Sequence, residues 1–137
     1  MKIVIEIDGL RAVDTGNQPL PGYKFDGMNL HRANFSGLDV SGCSFKKCNL
    51  IGSFFSNCIA VEVQFDDARL ANGDFRGSSL QSCSFRGALA RFADFRGAHL
   101  NDTCFHGADI TGALFDMAPP PCVLCLCTAC SASRTTL

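Results

Sequence analysis

Apolar residues occupy every fifth position from 20 to 115, twenty in succession. Alternate members are phenylalanine: Phe25, Phe35, Phe45, Phe55, Phe65, Phe75, Phe85, Phe95, Phe105 and Phe115. Between them stand Leu20, Leu30, Val40, Leu50, Ala60, Leu70, Leu80, Ala90, Leu100 and Ile110. Two residues before these centres, fifteen of twenty side chains are Ala, Cys, Ser, Thr or Gly, and two residues after, ten of twenty are Gly. Self-similarity at a fixed short period predicts a stack of repeated units.

A period of five suits neither regular element. On an α-helix, residues five apart are separated by about 140°, so the centres would spiral around every side. On a strand five is odd, so successive centres would fall on opposite faces. The chain must therefore turn a corner in every repeat, and Gly supplies the permissive backbone for it. Asn57, Asp67, Asn72 and Asp102, in the same slot, are the other types most tolerant of positive φ. The second-order period of ten predicts four sides, because a coil of twenty residues stacks Phe on Phe and Leu on Leu. Residues 18–117 then form five turns, about 24 Å tall at a strand spacing of roughly 4.8 Å. Residues 1–17 are expected to cap the stack, Ile3, Ile5 and Ile7 forming the apolar face of a strand.

The repeats Ala33-Asn34-Phe35-Ser36-Gly37, Ala93-Asp94-Phe95-Arg96-Gly97 and Ala108-Asp109-Ile110-Thr111-Gly112 resemble the pentapeptide-repeat family, whose pattern is loosely A-(D/N)-L-x-x. The resemblance covers about a hundred residues without insertion. It implies an all-β fold, a right-handed quadrilateral parallel β-helix (a solenoid). The centre and the small residue two before it would point inward, and the other three positions outward.

Two layers are thin, because Ala60 and Ala90 replace larger centres. Either the register slips there, turning Leu89 or Phe92 inward, or the neighbouring apolar residues stay outside. In the second case Ile51, Phe54, Ile59, Val61, Leu89 and Phe92 form the candidate surface for a protein partner.

Twelve basic and thirteen acidic residues leave a net charge of −1, which excludes nucleic-acid binding driven by bulk positive charge. No apolar run reaches the roughly 18 residues of a membrane span. Glu6 and Asp8 interrupt the stretch a signal peptide would need, so a cytoplasmic location is expected. Asp26, Lys46, Asp66, Arg86 and His106 should stack as a ladder of alternating sign, and Arg76 and Arg96 should lie beside Asp74 and Asp94.

Cys43, Cys48, Cys58 and Cys83 occupy inward slots and read as small core residues. Cys104 points outward near His99 and His106, a bare sketch of a nucleophile with no orienting third group, and His31 carries no signal. No catalysis and no cofactor are expected. Beyond Met117 the pattern stops. Residues 118–137 are expected to be a disordered tail whose Cys122, Cys125, Cys127 and Cys130 offer thiolates for a thiophilic metal without the usual two-loop spacing. The tail is expected to hold no structural metal.

These features point to a non-catalytic scaffold presenting flat β-helix faces to a protein partner, with an end-to-end homodimer as one way to cover the open layer. The resemblance implies an alternative, since some pentapeptide-repeat proteins mimic duplex DNA and protect bacterial DNA gyrase. This chain departs from them in being shorter, without projecting loops and nearly neutral over 18–117, with 10 acids against 9 bases.

Overall fold

The corner is the unit from which the fold is built. At every centre from Leu20 to Ile110 except Ala60, the carbonyl accepts the N–H three residues on, as in Met28 N–H to Phe25 O at 3.0 Å and Ala33 N–H to Leu30 O at 2.9 Å. The third residue of each such turn has positive φ, the geometry of type II and not type I. This holds at every fifth residue from Gly22 to Gly112 without a break. The register therefore never slips. Ala60 and Ala90 are buried at the centres of their repeats, while Leu89 and Phe92 stay outside.

The structure, a computed structural model, describes residues 4–7, 11–14 and 18–116. Parallel bridges join residues twenty apart, from Lys24↔Ser44 to Asp94↔Leu114. Twenty residues contain four corners, so the chain coils with four flat sides. The first side holds core residues Phe25, Phe45, Phe65, Phe85 and Phe105; the second, Leu30, Leu50, Leu70, Ala90 and Ile110. The third holds Phe35, Phe55, Phe75, Phe95 and Phe115; the fourth, Leu20, Val40, Ala60, Leu80 and Leu100. Backbone bonds between coils satisfy both strand polar groups, as where Phe45 N–H donates to Gln64 O at 2.7 Å and Ser44 N–H donates to Tyr23 O at 3.0 Å.

Inside, the two phenylalanine columns meet. Rings twenty residues apart lie almost parallel, Phe25 over Phe45 at 4.9 Å and 2°. Rings ten apart meet edge to face, Phe65 against Phe75 at 5.6 Å and 90°. Both arrangements suit the ring quadrupole, and each pair is worth about 0.5–1.5 kcal/mol beyond burial.

Three of the large residues among the small slots owe their place to the end of the stack. Tyr23, Met28 and Leu38 lie at the lower end of the stack, half-buried against the core, with no complete coil beneath them among the described residues. Tyr23 rests its ring 4.6 Å from that of Phe25.

The amino-terminal segment is a hairpin and not a lone strand. Strand β1 (Val4–Ile7) pairs antiparallel with β2 (Arg11–Asp14), Ile7 opposite Arg11. The expectations for the Cys-rich tail, including metal binding at Cys122, Cys125, Cys127 and Cys130, lie outside the described residues.

Candidate interaction surface

The unbroken register fixes which side chains stand outward. Phe54, Ile59, Leu89 and Phe92 are exposed by 40%, 50%, 51% and 60%, and Ile51 and Val61 are partly exposed. The coil distributes these six unevenly. Ile51 and Leu89 share the second side and line a depression of about 280 Å³ with Arg69, Ala71, Arg91 and Asp109. Phe92 stands at the corner leaving that side, its ring over Gly112, where an added Cβ would lie 2.5 Å from Cδ1. Phe54 lies on the third side, about two coils lower, bridged between Asn34 and Asp74. Ile59 and Val61 occupy the fourth side, opposite the depression. The six do not form one patch. Ile51 and Leu89 line an apolar depression on one face with Phe92 at its corner, Ile59 and Val61 stand on the opposite face, and Phe54 lies on the side between them. Leu114, 47% exposed at the top of the third side, was not singled out from the sequence. The basic rim of the depression was also missed; both follow from reading columns at a spacing of twenty.

Three arginines on the second and third sides are paired locally with carboxylates. Arg76 grips Asp74 with Nε to Oδ1 at 2.9 Å and Nη2 to Oδ2 at 2.8 Å. Arg96 grips Asp94 in the same way, and Arg91 Nε reaches Asp109 Oδ2 at 2.6 Å. The side-chain hydrogen bond from Arg76 holds the Asp74 carboxyl below the usual carboxylate range, and Arg96 does the same for Asp94. Asp109 is lowered by the Thr111 hydroxyl first and Arg91 second. The alternating ladder is only partly as expected. Among the described residues no ion pair joins Asp26 to Lys46; Asp26 and Asp66 instead accept from the hydroxyls of Ser44 and Ser84. A serine hydroxyl held by the sheet lies closer than the end of a flexible lysine.

The buried thiols point at backbone. Cys43, Cys48, Cys58 and Cys83 donate from Sγ to the carbonyls of Leu20, Phe25, Phe35 and Ala60 at 2.7–3.0 Å. Burial pushes Cys43, Cys48 and Cys58 up to about 11 and Cys83 to about 12, so all four are neutral donors at physiological pH. Cys104 is half-buried on the first side, with His106 exposed at the following corner and His99 exposed on the side before. Among the described residues, no group of three metal-ligating side chains converges. No helix among them is long and apolar enough to cross a membrane.

A family model described as "Pentapeptide repeat region" matches residues 38–115, and another, "Pentapeptide repeats (8 copies)", matches 20–46. The chain belongs to the pentapeptide repeat family. No curated protein matches it. Among solved structures it is similar to HetL of the cyanobacterium Nostoc sp. strain PCC 7120, a pentapeptide repeat protein involved in heterocyst differentiation regulation. That match has 22% identity and a TM-score of 0.54 over 65% of this chain and 40% of HetL, a likeness of fold alone. It is similar to QnrB1, a plasmid-mediated fluoroquinolone resistance protein, at 26% identity and a TM-score of 0.53 over 73% of this chain and 63% of QnrB1. A pentapeptide repeat protein of the Arabidopsis thaliana thylakoid lumen is 27% identical, with a TM-score of 0.55 over 77% of this chain and 70% of its own. This pentapeptide repeat protein thus shares the right-handed β-helix of its relatives and spans less than two thirds of the first two.

Proposed function

We propose that this pentapeptide repeat protein is a non-catalytic scaffold, a quadrilateral rod of about five turns whose flat faces engage a protein partner. One observation carries the reading. Among the described residues five large apolar side chains, Phe54, Ile59, Leu89, Phe92 and Leu114, stand outward on a backbone whose corners are fixed at every fifth residue. Such residues are ordinary when scattered singly, but Ile51 and Leu89 line a common depression with a charged rim, the pattern of an interaction site. The amino-terminal hairpin serves as the cap of the first layer, and the protein acts in the cytoplasm.

The test is capture of partners from host extract with immobilised protein. Phe54→Ser combined with Phe92→Ser should abolish capture while leaving circular dichroism and the melting temperature intact. Equal capture by this variant and by Ile51→Ser with Leu89→Ser would refute this contact surface.

A second reading, protection of bacterial DNA gyrase, is favoured by the similarity to QnrB1. The charge pattern weighs against it: no outward column of the coil holds more than two carboxylates, and Asp74 and Asp94 are each gripped by arginine. A phosphate mimic needs a continuous negative stripe. If the reading holds, purified protein will protect gyrase from a quinolone in a supercoiling assay, and Asp74→Lys with Asp94→Lys will lose that protection.

A further inference from the structure

The outward charges are sorted by side. The second side and its corner carry Arg32, Arg69 and Arg91 against the single acid Asp109. The fourth side, directly opposite, carries Asp39, Glu62 and Asp102 and has no Lys or Arg. Each also bears outward apolar groups. The second side is hollowed between Ile51, Ala71 and Leu89, and the fourth projects Ile59 and Val61.

From this pairing of a basic hollow with an acidic ridge, we propose that the occupant of the second side is the fourth side of another copy of this chain. The proposal rests on the scaffold reading and names its partner. Ile59 enters the depression while Asp39 and Glu62 approach the arginine rim, whereas second side against second or fourth against fourth would bring like charges together. The contact is heterologous, because two different patches meet. Since they lie on opposite faces, every bound copy offers a fresh site, and the array grows side by side without closing. One side is only about 24 Å tall and some 10–15 Å wide, a few hundred Å² per partner against the roughly 800 Å² of a stable complex. Association is therefore weak and concentration-dependent, and sensitive to salt because its charges lie at an exposed rim.

Sedimentation of the full chain up to about 1 mM tests it, since a contact this small belongs in the range of weak affinities. The expected result is a mass average that climbs past that of a dimer at low salt and falls when salt is raised. Two exposed variants separate the faces: Arg69→Glu with Leu89→Ser spoils the second side, and Asp39→Asn with Glu62→Lys spoils the fourth. Each alone should remain monomeric with an unchanged melting temperature. Their equimolar mixture should form a heterodimer and nothing larger, because one intact hollow and one intact ridge remain. A wild-type chain monomeric at 1 mM would overturn the proposal, as would a mixture that stays monomeric, or an assembly that neither variant nor salt affects. If the variants do not fold, the salt response and open-ended growth of the wild type decide alone. Partner capture by a strictly monomeric wild-type chain would sink self-association and leave the scaffold reading standing.

Discussion

The side chain before each centre shows why the repeat favours Asn or Asp there. Asn34, Asp39, Asp74, Asp94 and Asp109 each accept the N–H two residues on, at 3.0–3.1 Å, which organises the backbone as it enters the corner. At the corner itself nine residues other than Gly hold positive φ, Phe92 and Glu62 among them. Local preference disfavours these positions, and the sheet bonds on both sides enforce them. Asn57 shows what such a residue does: its Oδ1 would lie 2.5 Å from a Cβ added at Gly77 above it. Gly77→Ala should therefore cost about 1–2 kcal/mol in denaturant unfolding, combining backbone strain with this clash. At Gly27 an added Cβ meets nothing within 4 Å, so Gly27→Ala should cost less. Among the small slots, Ser53 Oγ is buried with no hydrogen-bond partner, unlike Thr103 Oγ1, which donates to Leu80 O at 2.6 Å. Ser53→Ala should thus stabilise the protein by about 1 kcal/mol, whereas Thr103→Ala should destabilise it by a similar amount. Equal melting shifts in the two variants would mean that Ser53 has found a partner.

At the scale of the element, the side of the coil was legible because two signals coincide: the apolar period of five and the small or turn-forming residue on either side of each centre. Phe25 and its nine successors fall inside, or at the upper end in the case of half-buried Phe115, as the pattern requires. The candidate surface was legible residue by residue but not as a surface. A period of five says that Ile51 and Ile59 face outward, and only the coil of twenty puts one on the second side and the other on the fourth. The hairpin's second strand was missed although Asp8-Gly9, a strong hairpin signal, lies between the two strands. The third side also carries the Arg76 and Arg96 grips, which give it a pH dependence. Asp74 and Asp94 have folded values below their ordinary 3.8, so their contribution is complete above that value. It is lost as the pH falls through the lower folded values. The pairs are largely exposed, so the effect is small and screened by salt. Comparing acid unfolding of the wild type with that of Arg76→Gln plus Arg96→Gln should show two curves that converge below the carboxylate range. Curves that remain parallel would mean the guanidinium groups act through packing alone.

For the whole molecule, stability is shared along the stack, because a coil buries its inner face only against its neighbours. The thiols report on this at the alkaline end. Core cysteines ordinarily titrate at 9.0 but are raised to about 11 or 12 when folded, so their stabilising effect is full below 9.0 and is lost as the pH rises towards the folded values. Mass spectrometry after alkylation at pH 8 should therefore find Cys43, Cys48, Cys58 and Cys83 unmodified until the rod unfolds. The phenylalanine columns give the sharper test of how far the coupling reaches. Phe65 is fully buried, with Phe45 and Phe85 stacked on its faces at 5.3 and 4.7 Å and Phe55 and Phe75 against its edges. Phe115 has a stacked neighbour on one face, Phe95, and is only half-buried. Phe65→Ala should cost about 3–5 kcal/mol, and Phe115→Ala clearly less, because the end ring loses fewer contacts and leaves no enclosed cavity. Phe65→Asp goes further: it places an unpaired carboxylate between aromatic layers in a site with no cation, at a cost of several kcal/mol. In a domain of ordinary marginal stability that removes the cooperative transition, since the coils above and below lose their shared core together. The expected measurement is a broad, featureless thermal scan and poor soluble yield for Phe65→Asp, beside a sharp transition at lowered temperature for Phe65→Ala. A melting curve unchanged by either substitution would place Phe65 outside the core and break the register on which every outward position depends.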